Sequence, residues 1–182
     1  MPYTYPHTIE NGHGEKIIFL RLVPAPDGDW LEVENHVTPN VGPPMHVHHK
    51  QAESLTVVQG RIASQVLGEE PKFNGPGETA EFEAGVPHKF WNAGTDMLIC
   101  RGWIKPAHNV EYFLTEIYKS TVANGGRPGA FDSAWLMQRY RSEFDMFDIP
   151  VFVKRVIFPL ALFWGKLTGQ HKKFKDAPPP VR

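Results

Sequence analysis

The chain has 182 residues, with 19 Lys and Arg against 20 Asp and Glu, which gives a net charge of -1 and a pI near 6.8. This balance argues against a nucleic-acid-binding protein, because such proteins usually need a basic surplus to neutralise phosphates. Hydrophobic residues make up 41% of the chain, an ordinary share for a globular protein, so global disorder is excluded.

The first hundred residues are predicted to be β-rich. The 17 Pro and 16 Gly of the chain favour many turns and short elements over long helices. From Lys16 to Trp103, short apolar or alternating runs are separated by turn clusters, as in an all-β sandwich or barrel. Eight strands are predicted: Lys16–Val23, Trp30–Val37, Met45–His49, Ser54–Gln59, Arg61–Leu67, Thr79–Glu83, His88–Asn92 and Met97–Trp103.

After Pro106 the pattern becomes helical, and about three α-helices are predicted. The first spans residues 109–122, where apolar residues recur at helical spacing. The second is capped by Asp132 or Ser133 and carries one apolar stripe that consists of Leu136, Tyr140, Phe144 and Phe147. The third begins near Pro150 and is interrupted at Pro159, before Gly165 or Gly169.

These elements predict a mainly β protein in three parts. Residues 1–106 are expected to form a β-barrel, and residues 107–170 a helical extension that packs on the barrel or on a second subunit. Residues 171–182 are basic and then proline-rich, which predicts a loose tail. The longest apolar tract, residues 156–165, is ten residues long and therefore too short to cross a bilayer.

One stretch of the barrel has the residue types of a metal site. His46 and His48 are two apart on a predicted strand, so both side chains point to the same face. A short turn later, Glu53 begins the next strand, and His88 begins another strand further along the chain. Three imidazoles and one carboxylate suit first-row divalent metals and leave coordination positions open.

The spacing of these residues resembles the two sequence motifs of the cupin superfamily. The first motif is matched at its glycine, histidine and glutamate positions by Gly42, His46, His48, Glu53 and Gly60, with a spacer two residues shorter. The second motif is matched by Gly77, Gly85, His88 and Asn92. Glu83 stands where the family usually has Pro, which affects the expected turn but not the ligand positions.

The resemblance covers residues 16 to 105 and implies a cupin-type double-stranded β-helix, or jelly-roll, barrel. It also implies one divalent transition metal inside the barrel, held by His46, His48, Glu53 and His88. The same ligands accept Fe, Mn, Ni, Co, Cu or Zn, so the metal is not identified. The resemblance does not explain the C-terminal third of the chain.

Strand parity places further residues around this site. Phe90 and Asn92 share the parity of His88 and are expected to line a substrate pocket. The alternatives are core packing for Phe90 and a turn-stabilising amide for Asn92. His49 is expected to face outward. The sequence does not show whether the side chains of Arg61 and Arg101 point into the barrel. If either does, it could anchor a carboxylate. Cys100 is expected to be a buried structural residue.

These observations favour a metal-dependent oxygenase that acts on a small organic molecule, with Glu53 as a ligand and a catalytic base. Two alternatives stay open: a non-catalytic binding or sensing protein, and a metal-dependent isomerase or lyase. Because Cys100 is the only cysteine and no leader-like segment precedes Ile17, a cytoplasmic protein is expected. A homodimer is also expected. Membrane-surface contact through the C-terminal helices is the less favoured use of those helices.

Overall fold

The computed structural model describes residues 3–182, so residues 1 and 2 of the predicted barrel range lie outside the described part. The described chain contains eleven strands: β1 (His7–Glu10), β2 (Glu15–Val23), β3 (Trp30–Val37), β4 (His46–His48), β5 (Ala52–Gln59), β6 (Ile62–Val66), β7 (Lys72–Asn74), β8 (Thr79–Phe82), β9 (His88–Asn92), β10 (Leu98–Lys105) and β11 (Phe144–Met146). All eight predicted strands are present, and β1, β7 and β11 are additional.

The strands form two antiparallel sheets that face each other as a jelly-roll barrel. One sheet has six strands in the order β1-β2-β3-β10-β5-β8, and the other has five in the order β11-β4-β9-β6-β7. Strands that are distant in sequence are paired in both sheets, such as β3 with β10. The predicted cupin-type double-stranded β-helix is confirmed.

The helices are α1 (Val110–Ala123), α2 (Ala130–Arg139) and α3 (Phe158–Leu167). A π-helical turn, Val153–Ile157, leads directly into α3. Because Pro159 has no backbone N–H, it disturbs the regular hydrogen-bond ladder at this point. Gly169, with φ of +77°, follows the end of α3, as predicted for the third helix.

The second helix differs from its prediction in two respects. Gly129, and neither Asp132 nor Ser133, occupies the N-cap position. The helix also ends at Arg139, because the backbone turns after Tyr140, whose carbonyl accepts the amide protons of Glu143 and Phe144. The predicted apolar stripe therefore stops early, and Phe144 lies on β11, where it pairs with His48.

Two apolar cores hold the molecule together. The smaller core fills the barrel between the sheets and includes Leu55, Val57, Leu98 and Cys100. The larger core joins strands and helices, with Phe19, Leu31 and Val33 from the barrel against Phe113, Leu136 and Tyr140 from the helical segment. The helical segment therefore packs on the barrel of its own chain.

The C-terminal tail is held in place and is not the loose segment that its composition predicted. Arg139 donates hydrogen bonds to the carbonyls of Ala177 and Pro178 at 3.0 to 3.2 Å. The Val181 amide donates to Glu143 at 3.0 Å, and Asn109 Nδ2 donates to the Pro179 carbonyl at 2.9 Å. Residues 177–182 form no strand or helix, so these carbonyls lack regular backbone partners and side chains of the helical segment donate to them.

The turn before β9 forms without the proline of the family motif. Val86 N–H donates to the Glu83 carbonyl, and Gly85 adopts a φ of +80°. A positive φ at this position is the demanding feature of the turn, and glycine supplies it. Glu83 therefore leaves the approach of the chain to His88 intact.

Within residues 3–182, we find no helix with the length and apolar character that crossing a membrane requires.

Candidate metal centre

Strand geometry brings the three histidines of the predicted metal site together. His46 and His48 lie on β4 with the intervening Val47 pointing to the opposite face, as alternation along a strand requires. His88 is the first residue of β9 and lies directly opposite His46 in the antiparallel register. The imidazole centroids of His46 and His88 are 4.6 Å apart, and those of His46 and His48 are 4.9 Å apart.

Glu53 reaches the same point from the other sheet. It lies on β5 with the parity of Leu55 and Val57, both of which fill the barrel core. Its Oε2 lies 3.4 Å from His88 Nε2. One ligand atom from each of His46, His48, Glu53 and His88 falls within 4.8 Å of the others.

Backbone carbonyls orient two of the rings. His46 Nδ1 donates a hydrogen bond to the Pro44 carbonyl at 2.8 Å, and His88 Nδ1 donates to the Val86 carbonyl at 2.8 Å. These bonds leave Nε2 of both rings as the free lone pair that a metal requires. Phe82 stacks on the His88 ring with 4.0 Å between centroids. Both rings are therefore held in place before any ion binds.

Burial disfavours the charged forms of His46 and His48. Desolvation lowers the pKa of His46, and it lowers the pKa of His48 to about 3, with neighbouring histidines adding to both shifts. For Glu53, desolvation alone would raise the pKa. The adjacent His88 ring, whose Nε2 lies 3.4 Å from Oε2, and the surrounding imidazoles outweigh that effect and hold the pKa below its ordinary value. Neutral imidazoles and an ionised carboxylate are the protonation states of metal ligands.

The residues present fit one divalent ion. Opposite ligands at about 2.1 Å from an ion are separated by about 4.2 Å, so small side-chain shifts suffice to close this site. His48 Nδ1 is buried and has no hydrogen-bond partner among the described residues. Buried polar atoms are seldom left without a partner. A mixed set of nitrogen and oxygen donors suits several first-row metals and does not choose among them.

A small inner cavity of about 60 Å³ borders the four-residue cluster inside the barrel. His46, His48 and Glu53 line it on one side, and Asn35 and Phe90 contribute further walls. Asn35 is buried, and this residue adds an amide to the polar groups that border this space. The volume leaves room only for a small molecule beside the cluster.

A larger outer cavity of about 260 Å³ adjoins the same histidines. His46 and His48 form one wall, and apolar residues of the helical segment form a large part of the rest: Val110, Phe113, Leu114, Ile117, Met137, Phe144, Met146 and Ile149. Phe144 also contacts His48 edge-on, with centroids 5.5 Å apart. The helical segment therefore builds much of the space beside the candidate metal centre.

Glu15 is an acidic residue that borders both cavities. Its Oε2 accepts a hydrogen bond from Asn11 Nδ2 at 2.5 Å. Burial raises the pKa of Glu15 to about 7, although Tyr118 and Asn11 oppose the rise. Tyr118 borders both cavities as well, and burial raises its own pKa. A carboxyl group whose pKa is close to neutral pH thus borders both the inner and the outer cavity.

The two predicted pocket residues have different environments. Phe90 is 7% exposed and lines the inner cavity. Asn92 does not border either cavity near the cluster. Its Nδ2 donates to the Val37 and Asp96 carbonyls, and its Oδ1 accepts from Gly94 N–H, each at 2.8 Å. The pocket prediction for Asn92 is thus corrected: its amide stabilises the turn between β9 and β10.

The remaining candidates lie away from the cluster. His49 is exposed, as its parity predicted. Arg61 is exposed and lies 4.8 Å above the Phe73 ring, and Arg101 points outward and donates to Glu34 at 2.7 Å. The structure therefore gives neither arginine a role as an internal carboxylate anchor. Cys100 is fully buried, and desolvation raises the pKa of its thiol to about 12.

Sequence reasoning missed Glu15 and Tyr118. A signal for Glu15 existed, because it shares strand parity with Ile17 and Phe19, and Phe19 is fully buried. A charged residue on the inward parity of a strand is worth attention, since burial of a carboxyl group is costly. Tyr118 had no comparable signal, because its position depends on how α1 packs across the barrel.

Comparison with known proteins agrees with this architecture. Residues 33–100 match the family model described as Cupin domain. The chain contains a cupin domain. The match begins within β3, ends within β10 and includes all four residues of the candidate metal centre. The three helices lie outside the matched cupin domain.

Two curated relatives carry oxidoreductase names. "Probable oxidoreductase virH" of Hypocrea virens is 34% identical over 109 residues, which cover 55% of this chain and 48% of the relative. "Oxidoreductase iacF" of Pestalotiopsis fici is 31% identical over 98 residues, which cover 49% of this chain and 48% of the relative. The chain therefore spans about half the length of these curated relatives.

Similar solved structures come from several bacteria. KdgF from a Halomonas species has a TM-score of 0.47 at 17% identity, covering 57% of this chain and 90% of that one. A variant of the Bacillus subtilis oxalate decarboxylase OxdC has a TM-score of 0.46 at 16% identity, covering 56% of this chain and 28% of that one.

Proposed function

We propose that the protein is a metal-dependent enzyme of the oxygenase type that acts on a small, largely apolar organic molecule. The observation that carries this proposal is the outer cavity, which adjoins His46 and His48 and is lined mostly by apolar side chains. Its volume of about 260 Å³ is near the lower end of typical small-molecule sites. The oxidoreductase names of both curated relatives support a redox reaction.

The metal would be held by His46, His48, Glu53 and His88, the four residues whose ligand atoms converge. When bound, a redox-active divalent ion supplies Lewis acidity and electron transfer toward dioxygen. The apolar outer cavity positions the substrate against His46 and His48 and excludes water from the reacting groups. The inner cavity leaves room for a second, smaller reactant beside the same residues.

Glu15 is the residue that we assign to proton transfer. It borders both cavities, so a substrate in the outer cavity can present an acidic proton to it. Asn11 fixes the carboxylate by donating to Oε2. Glu53 was predicted to serve as ligand and base together. Its position among three imidazoles favours the ligand role, and Glu15 is the better-placed acceptor for a substrate proton.

Oxygen consumption tests the proposal directly. Protein loaded with Fe(II), and separately with Mn(II), Ni(II), Co(II), Cu(II) or Zn(II), is incubated with catechols, flavonols and acireductone-like compounds in an oxygen electrode. We expect uptake with at least one redox-active ion and none in the metal-free protein. His49→Ala serves as a control, because this exposed histidine lies outside the cluster.

Two results would contradict the oxygenase proposal. Tight binding of an apolar probe without turnover by any metal form would favour a binding or sensing cupin. Conversion of a probe under anaerobic conditions would favour metal-dependent isomerase or lyase chemistry. Mass spectrometry of the products distinguishes these results, because only an oxygenase adds labelled oxygen from the gas phase.

A further inference from the structure

The helix that spans residues 151–167 packs on the protein by one face only. Phe158 and Gly165 are its buried residues. Gly165 lies so close to Phe131 that an added Cβ would be 2.0 Å from the Phe131 ring, so only glycine permits this contact. The opposite side, which we call the apolar face, is solvent-exposed and consists of Phe152, Val156, Leu160, Phe163, Trp164 and Leu167.

The apolar face is continuous along the helix. Five of its residues, at positions 152, 156, 160, 163 and 167, recur every three or four residues and so share one side of the helix. They extend over about 22 Å at 1.5 Å per residue. Phe152, Phe163, Trp164 and Leu167 each expose between 58% and 63% of their surface. An aromatic-rich face of this extent on a protein surface indicates an interaction site.

The charged residues of this helix and of the segment after it, up to residue 175, are all basic. Two of them, Lys154 and Lys173, pair with Asp145 and Asp132 of neighbouring elements. Residues 149–175 contain no Asp or Glu and six basic residues: Lys154, Arg155, Lys166, Lys172, Lys173 and Lys175. Arg155, Lys166 and Lys172 are exposed and have no ion-pair partner among the described residues. The surface that covers the apolar face must therefore be both apolar and anionic.

We propose that the apolar face binds the surface of an anionic lipid bilayer. Exposed Phe, Trp and Leu side chains would enter the boundary between headgroups and acyl chains, and the flanking cations would pair with anionic headgroups. Lysine and arginine suit this arrangement because their long side chains keep the charge in the headgroup region while the stem covers apolar surface.

A second copy of the chain suits the apolar face less well. In a two-fold symmetric dimer, the same patch of each protomer meets its counterpart. The basic residues 154, 155 and 166 of one copy would then approach those of the other, with no acidic residue of the helix to separate them. Anionic lipid neutralises these charges, whereas self-pairing brings like charges together. The expected homodimer would have to use another surface.

Vesicle cosedimentation tests the proposal with the full chain. We expect the protein to pellet with vesicles of phosphatidylcholine and phosphatidylserine, and much less with phosphatidylcholine alone. The double variant Phe163→Ser with Trp164→Ser should weaken binding at least about tenfold, because two anchoring side chains are lost. The matched control is Leu67→Ser with Phe73→Ser, two residues that are each 50% exposed on the barrel.

A charge variant tests the second half of the proposal. Arg155→Gln, Lys166→Gln and Lys172→Gln together should weaken binding to the anionic vesicles about a hundredfold, since each surface cation contributes about fivefold. High salt should weaken wild-type binding in the same direction. Unchanged circular dichroism and unchanged metal content show that the variants are folded.

Two results would overturn the lipid assignment. One is equal pelleting of the wild type, the helix double variant and the barrel control. The other is a dimer mass in light scattering that returns to 20.6 kDa in the Phe163→Ser, Trp164→Ser variant, because that result assigns the apolar face to a second copy. Neither readout depends on oxygen consumption, so this proposal can fail while the proposed function stands.

Discussion

The barrel and the helical segment contribute different kinds of residue to the same site. The barrel supplies nitrogen and oxygen donors from β4, β5 and β9, whereas the helical segment supplies most of the apolar wall of the outer cavity. Donor positions follow from strand parity and register, which are local rules. The wall follows from the packing of distant elements. Under the proposed function, the barrel would fix the chemistry and the helical segment would shape the substrate space.

The two regions also differ in how they are held. The barrel is built from backbone ladders between paired strands. The C-terminal tail, which follows the helical segment, is held by side chains that bind backbone groups, with Glu143 at the centre. Damage to the barrel site should therefore remove the chemistry, and damage to the helical segment should reduce stability and alter substrate selection.

The largest effect is expected from His88→Ala. This change removes a predicted ligand and the ring whose Nε2 lies 3.4 Å from Glu53 Oε2 inside the barrel. Metal affinity should fall more than about a hundredfold, beyond the ten- to hundredfold loss typical when only a partner of a ligand is removed. Isothermal titration with Zn(II) measures the change, and His49→Ala is the matched control. Equal affinity in both variants would show that the four residues do not share an ion.

The second prediction concerns Glu15 and separates proton transfer from metal binding. Glu15→Gln keeps the size of the side chain but removes the proton acceptor, so turnover should fall about a hundredfold. Metal content should stay unchanged, because Glu15 is not part of the ligand cluster. The control is Glu83→Gln, which alters an exposed carboxylate. A turnover equal to wild type would remove Glu15 from the mechanism.

The pH dependence of the wild type sharpens the test of Glu15. A base must be ionised to accept a proton, and burial raises the pKa of Glu15 from 4.5 to about 7. Turnover should therefore rise as the pH increases through about 7. The Glu15→Gln variant should not show this rise. Stability should follow the opposite direction. The fold favours the neutral carboxyl group, so its stabilising contribution is present below pH 4.5 and is lost as the pH rises to about 7.

The third prediction breaks the attachment of the helical segment. Glu143 is fully buried and accepts hydrogen bonds from the Asn109 and Val181 amides and from Asn109 Nδ2. Glu143→Ala leaves these donors buried without an acceptor, which should lower the free energy of unfolding by about 2 kcal/mol. Urea denaturation measures the loss. Glu81→Ala, an exposed change on β8, should have little effect, and an equal loss in both variants would contradict the assignment.

Much of the barrel was predictable from the sequence because its rules are local. The alternation around Val47 placed His46 and His48 on one face, and turn residues marked the strand ends. β11 was not predictable, because Phe144 has the spacing of an α2 residue and joins the sheet only after the chain turns at Tyr140. The fixed tail was missed for a similar reason, since its bonds depend on Arg139 and Glu143 being nearby in space.

The site was predictable in part. The cluster of His46, His48, Glu53 and His88 could be located from spacing and family resemblance, although their role as metal ligands is still a prediction. The outer cavity could not be located, because its walls come from α1, α2 and β11. Asn92 shows the limit of parity: its side chain does face away from solvent, yet the amide binds backbone groups and no cavity.

The smallest effect is expected from Arg101→Ala, which tests whether substrate recognition belongs to the interior. Arg101 is 67% exposed and pairs with Glu34 on the outside of the barrel, and exposed ion pairs contribute only about 0.2 to 1 kcal/mol. The KM for any substrate found by oxygen consumption should stay within about twofold of wild type, and stability should fall by less than about 1 kcal/mol. Because Arg101 lines neither cavity beside the cluster, a KM that rises tenfold would mean that substrates bind on the outer surface of the sheet. The helical segment would then no longer be the wall that selects them.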